Sequence, residues 1–190
     1  MTAAITGAVD ATLRSAHRAW VEIDHSALVD NLSALRRLAG GEKLVFPQLD
    51  NPLVSIVIPA YNKAYYTYQT VESLVATKAE VPLELVIVDN ASADETRVLL
   101  AQFENGRYYV NEHNLGFGGA CNIGAEMARG EFICFLNSDV VLTPGWLEAL
   151  LRTIQSDPHC GAVGAKLVHP EGTLQEAGSI IWQDGSTYGY

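Results

Sequence analysis

From residue 53 onward, short, nearly unbroken apolar runs alternate with stretches in which apolar residues recur every three to four positions. The run 53–59, Leu-Val-Ser-Ile-Val-Ile-Pro, is rich in β-branched residues, as expected of a strand covered on both faces of a parallel sheet. A helix is predicted over 65–76, with Val71, Leu74 and Val75 turned inward. The second strand is 83–88, and Ser92 with Glu95 has the spacing of a capping box that opens a helix running to about Phe103. A third strand, 107–110, precedes a glycine-rich loop over 111–122 and a helix ending near Ala128. The strand 132–136 then runs into a polar tip, Asn137-Ser-Asp139, and Thr143 with Pro144 signposts a helix to about Gln155. Beyond Asp157-Pro158, 161–168 reads as a strand and 173–182 as one or two more. Strands alternating with helices through short loops predict an α/β fold with a doubly wound, mostly parallel sheet and flanking helices.

Upstream, Leu28, Val29, Leu32, Leu35 and Leu38 recur at helical spacing, Ser26 offers a cap and Gly40-Gly41 end the run. Residues 41–52, with Pro47 and Pro52, read as a linker. The expected organisation is therefore a helical appendage with its linker over 1–45 and one domain over 46–190. The stretch Arg18-Ala-Trp-Val-Glu-Ile-Asp-His-Ser-Ala-Leu-Val-Asp-Asn-Leu resembles the opening strand and helix of alanine racemases. That family's cofactor-binding lysine has no counterpart, because Leu-Val-Phe-Pro follows Lys43. A docking or oligomerising helix is the expectation that survives.

Composition narrows the function classes. With 48% hydrophobic and 18% charged residues the chain has the content of a globular protein, and a net charge of −10 speaks against a nucleic-acid partner. An anionic ligand has to be held locally, by a cation, backbone amides or single basic residues. Cys121, Cys134 and Cys160 are odd in number and lack metal-ligand spacing, which suggests reduced thiols and a cytoplasmic setting. The five histidines are dispersed and suggest no zinc site. No apolar run is long enough to span a bilayer.

Two segments carry candidate chemistry. In open α/β sheets ligands gather outside the carboxyl ends of the strands, where Asp139 emerges beside Asn137. A carboxylate there either helps to hold a divalent cation or hydrogen-bonds the amides of its own turn. Glycines over 116–119 let a backbone approach a ligand closely and precede a helix whose amides suit an anion. The loop lacks the Lys and Ser/Thr of a Walker motif.

Taken together, Pro59-Ala-Tyr-Asn, Val88-Asp-Asn-Ala-Ser, Asn114-Leu-Gly-Phe-Gly-Gly-Ala-Cys-Asn and the Asn-Ser-Asp tip resemble the nucleotide-binding half of family 2 glycosyltransferases. The resemblance spans about residues 46–190, is nearest to rhamnosyltransferases and related polysaccharide-assembly enzymes, and implies the GT-A fold. It implies that Pro59, Ala60 and Tyr61 line a nucleoside pocket and that Asp89 accepts a hydrogen bond from the base, with Asn90 secondary. Asn114, Gly116 and Phe117 are expected over the ribose and sugar, with Asn122 in support. Asp139 matches the last carboxylate of the family's Asp-X-Asp motif, the expected ligand to Mn2+ or Mg2+, while Asn137 departs from its first. The implied reaction is metal-assisted, inverting transfer from a UDP-, dTDP- or GDP-linked sugar to a saccharide or lipid-linked acceptor, in the cytoplasm or peripherally at the inner membrane face. Its general base belongs to an acceptor half downstream; Glu176 is the last candidate carboxylate, with a solvated strand-end charge as its alternative. Two other readings remain at this point: a non-catalytic assembly module, which a buried, ion-paired Asp139 would favour, and a nucleotidyltransferase, for which Tyr61-Asn-Lys63 supplies no triphosphate loop.

Overall fold

The computed structural model describes residues 43–47, 49–181 and 187–189. At its centre lie four parallel strands in the order β5-β3-β2-β6: β2 is Val54–Ala60, β3 Leu83–Asp89, β5 Arg107–Val110 and β6 Phe132–Phe135. Every residue of β2 and β3 is buried, which is why both read as unbroken apolar runs. The outer strands β5 and β6 are only partly covered: β6 alternates half-buried and exposed residues, while β5 exposes its central Tyr108 and Tyr109. The expected fold class is the one observed. Residues 1–42, where the appendage helix is expected, lie outside the described residues.

Among the described residues four helices flank the sheet: α1 over Ala64–Ala76, α2 over Thr96–Leu100, α3 over Gly116–Met127 and α4 over Trp146–Gln155. Helix α1 buries Tyr68, Val71 and Leu74 in the same cluster as Ile56, Ile58, Leu85 and Ile87. Helix α3 lies on β2 and β3, and glycine sets its distance: a Cβ on Gly124 would stand 2.2 Å from the Val57 Cγ1. Ala120 and Cys121 complete that small-residue face.

The structure corrects several local expectations. Within the expected linker, residues 44–46 are not free, because β1, Leu44–Val45, pairs in parallel with β4, Phe103–Glu104, and Phe46 is buried in the core. The capping box is absent. The Ser92 hydroxyl instead accepts from the Asn62 N–H at 2.7 Å, and α2 begins only at Thr96, whose N–H donates to the Asp94 carboxylate. Helix α3 starts at Gly116, so most of the predicted glycine loop is its first turns. Gly145, in the left-handed region at φ 80°, precedes α4, which therefore starts after Pro144, without a cap from Thr143. Of 161–168 only β7, Leu167–Val168, is a strand, paired with β8, Leu174–Glu176. The last pair, β9 (Ser179–Ile181) with β10 (Thr187–Gly189), is antiparallel.

Candidate functional site at the carboxyl edge

Because all four central strands are parallel, their carboxyl ends share one edge. The register sets Ala60 beside Asp89 and Asp89 beside Val110, and the Leu136 N–H donates to the Val57 carbonyl, which prolongs β6 toward its tip. The segments holding Tyr61, Asp89, Asn111 and Asp139 thus all leave the sheet on the same side. Two strand spacings of about 4.8 Å put the β3 and β6 tips roughly 10 Å apart, enough to accommodate a small ligand between them.

Asp89 is fully buried. Its Oδ1 accepts from the Ser92 N–H at 2.9 Å, but its Oδ2 is buried with no hydrogen-bond partner, and the nearest cation is Arg97 Nε at 3.7 Å. That separation is too long for a hydrogen bond. A buried acceptor left in this state costs about 1–3 kcal/mol, so it marks a place where a donor belongs.

Around Asp89 two loops are latched together. Asn62, at φ 55°, accepts from the Ala93 N–H through its side chain, while Asp94 accepts from the Ala64 N–H at 2.9 Å. Asn62, Lys63 and Ala91 all adopt positive φ, a cost for residues with a Cβ that persists where surrounding contacts over-determine the loop. Burial pushes the Asp94 carboxyl up, but the hydrogen bonds from the Thr96 side chain and the Ala64 and Thr96 amides outweigh it and hold the pKa below the ordinary value.

Asn90 organises the third loop. Its amide nitrogen donates to Asn114 Oδ1 at 2.7 Å and to the Gly116 carbonyl at 3.0 Å, and its oxygen accepts from Asn111 Nδ2 and the Leu115 N–H, both at 2.9 Å. All its hydrogen-bonding capacity is thereby spent inside the protein. Asn114 closes a further bond from the Gly116 N–H, leaving Gly116 and Phe117 exposed at the start of α3 and Asn122 exposed further along it. Pro59 and Ala60 are buried behind the edge, whereas Tyr61 is 51% exposed.

At the β6 tip, Asn137 and Asp139 are both exposed, and neither has a hydrogen bond or ion pair among the described residues. Their backbone is held by α1, because the Val140 and Leu142 amides donate to the Thr70 and Ser73 hydroxyls. A free carboxylate on a fixed backbone suits a hard cation that also binds phosphate oxygens. No group of three or more His, Cys, Asp or Glu among the described residues could cage a metal ion alone. The residues therefore fit a shared cation and do not fit a protein-only site. Glu176 is exposed on β8, opposite Leu167 in the pairing.

Sequence reasoning passed over Asn62, Asp94, Arg97 and Asn111. The Asp94-x-Thr96 spacing was a readable turn signal; the cross-loop roles of the others depend on strand order.

Two recesses lie at the opposite, amino-terminal edge, one of about 590 Å³ beside Leu53 and Val81 and one of about 250 Å³ beside Glu84, Arg107 and Arg129. Glu84 is nearly buried there and ties the sheet together, accepting from Ser55 Oγ at 2.7 Å and the Arg129 N–H at 2.7 Å, with both guanidinium groups at 3.3 Å. Its hydrogen-bonding needs are met, unlike those of Asp89.

The sequence profile described as glycosyl transferase family 2 matches residues 55–188. The chain belongs to that family. The O-antigen biosynthesis protein RfbC of Myxococcus xanthus is 35% identical over 144 residues, which cover 74% of this chain and 11% of that protein. Chondroitin synthase of Escherichia coli is 37% identical over 109 residues, 56% of this chain and 16% of that one. This family 2 chain thus spans a small part of the length of either relative. Among solved structures, the mannosyltransferase PcManGT of Pyrobaculum calidifontis, in complex with GDP-Man and Mn2+, matches with a TM-score of 0.53 at 20% identity, over 77% of this chain and 45% of that one. A likeness at that identity bears on the fold alone, and it agrees with the expected GT-A architecture. Among the described residues no helix is long and apolar enough to cross a membrane.

Proposed function

We propose that the carboxyl edge of this family 2 domain binds a nucleotide-diphosphate sugar and forms the donor half of a glycosyltransferase acting in polysaccharide assembly. One observation carries the reading: Asp89 Oδ2, buried and without a donor, sits on the same edge as the unengaged Asp139 carboxylate. In this reading an N–H of the base completes Asp89 while Tyr61, Pro59 and Ala60 border the nucleoside. Phe117 and Gly116 cover the ribose and sugar, held in place by the bonds from Asn90 and Asn114, with Asn122 in support.

Asp139 would hold Mn2+ or Mg2+ together with the diphosphate, and Asn137 would accept from a sugar hydroxyl or from water on the cation. Such an ion offers Lewis acidity to a departing diphosphate. The amide at 137 leaves one carboxylate at the tip, so the cation is expected to bind weakly until a diphosphate supplies further oxygens. The described residues contribute positioning and charge. A carboxylate base for the acceptor hydroxyl is expected in an acceptor half of a longer protein, with Glu176 as the candidate within this chain. The acceptor is a saccharide or lipid-linked saccharide, the transfer inverts the anomeric centre, and the setting is cytoplasmic. Of the expected appendage over 1–45, the part ahead of β1 serves for docking in the same proposal. The assembly-module reading called for a buried, ion-paired Asp139, and the exposed carboxylate speaks against it.

Calorimetry of the folded chain with UDP, dTDP and GDP, each with and without Mn2+, tests the proposal. Binding of at least one, strengthened by the metal, is expected. A folded sample that binds none of the three overturns it.

A further inference from the structure

Arg97 lies on the short helix α2, directly after the loop that carries Asp89. Its Nε stands 3.7 Å from Asp89 Oδ2, and its side chain is 61% exposed where that of Asp89 is 0%. The two groups neutralise each other without forming a hydrogen bond. An acceptor with no donor and a cationic donor with room to move therefore stand side by side, while the other carboxylate oxygen is already taken by the Ser92 amide. Neighbouring contacts fix where Arg97 departs from the backbone, since Thr96 and Leu99 are buried and Asp94 holds the start of the helix.

A ligand edge that satisfies both groups must offer a donor to Oδ2 and, beside it, an acceptor to the guanidinium. Uracil and thymine carry N3–H next to the O4 carbonyl, and guanine carries N1–H next to O6. Cytosine and adenine present the reverse, a bare ring nitrogen beside an amino group. That reversed edge would set a lone pair against the carboxylate and N–H bonds against the guanidinium. We propose that Arg97 is a specificity-determining residue which, paired with Asp89, makes the site accept bases bearing an N–H beside a carbonyl and reject cytosine and adenine. The proposal rests on the donor-site reading above and adds to it the class of base and the residue that selects it. Arg97 touches no reacting atom in this scheme. Its effect falls on base recognition.

The test compares dissociation constants of the full chain for UDP, GDP, CDP and ADP at fixed Mn2+, for the wild type, Arg97→Met and Arg97→Lys. Unmodified protein is expected to bind UDP and GDP at least about tenfold tighter than CDP and ADP, because a site built to pair polar groups rejects ligands that leave them unpaired. Arg97→Met should weaken UDP by about tenfold and bring the UDP-to-CDP ratio near unity, whereas Arg97→Lys, which keeps a cationic donor, should restore most of the ratio. Arg97→Met removes the cation beside a buried carboxylate and lowers the thermal midpoint. Constants are therefore compared well below it on folded protein, where a loss confined to uracil and guanine, with CDP and ADP unchanged, separates base reading from a structural role. If Arg97→Met binds UDP with the wild-type ratio, the inference falls and the donor site stands. If the wild type binds none of the four, both fall.

Discussion

Replacing Asn90 by alanine removes the side chain that joins the β3 tip to the start of α3. Four hydrogen bonds disappear together, two donated by its amide nitrogen and two accepted by its oxygen. Each intramolecular bond of this kind contributes a net of about 0.5–1.5 kcal/mol, and the partly solvated partners Asn114 and Gly116 recover some of theirs from water. Asn111 Nδ2 does not, since Asn111 is 5% exposed. The expected loss is about 3 kcal/mol. For a chain of this size 1 kcal/mol corresponds to about 2–4 °C, so the thermal midpoint should fall by about 6–12 °C. Urea titrations followed by far-UV circular dichroism give the free energy directly. Asn90→Asp, nearly the same size, sharpens the test. It keeps the two accepted bonds but sets an oxygen against the Asn114 and Gly116 oxygens, and should cost as much as alanine. A loss under about 1 kcal/mol in both variants would refute the assignment of Asn90 as the node of the loop.

Other consequences follow from the same contacts. Gly124→Ala would force a methyl group against Val57 and should destabilise the chain by about 1–3 kcal/mol, measurable by the same titrations. Burial pushes the Glu84 carboxyl up, but hydrogen bonds from Ser55, the Arg129 amide and Arg107 outweigh it and hold the folded pKa below its ordinary 4.5. Its contribution to stability should therefore be complete above about pH 4.5 and be lost as pH falls through the lower folded value, a loss that Glu84→Gln should blunt. The Cys134 thiol is pushed up to about 11 by burial, so at pH 8 in native protein it should react with a disulfide reagent far more slowly than Cys160, and at comparable rates in urea.

Strand identity and the parallel sheet were legible because β2 and β3 are buried on both faces and announce themselves as continuous apolar runs, whereas the strand order came only with the structure. Short loops between helices and strands then left few topologies to choose from. Boundaries governed by tertiary contact were not legible. Ser92 and Glu95 have the spacing of a capping box, yet the Ser92 hydroxyl is drawn to Asn62, thirty residues away in sequence. The glycines read as loop residues because glycine is a poor helix former; in α3, Gly124 is needed for close approach to Val57. Phe46 directly precedes Pro47 in a stretch of linker composition, and only the pairing of Leu44 with Phe103 brings it into the core. For the candidate site, Asp89 and Asp139 could be named from the sequence because each follows a strand. Arg97 could not, since its closeness to Asp89 Oδ2 arises from the fold of the loop between them.

The central claim is that a nucleotide diphosphate and a cation meet at the carboxyl edge of the sheet. Paramagnetic broadening of backbone amide signals by substoichiometric Mn2+ in the presence of UDP locates the cation directly. The account predicts that the amides of Tyr61, Asn90, Gly116 and Asp139 broaden, that those of Glu84 and Arg129 at the opposite edge stay sharp, and that Asp139→Ala abolishes the effect. Broadening centred on Glu84 and Arg129, or an unchanged pattern in Asp139→Ala, would contradict it.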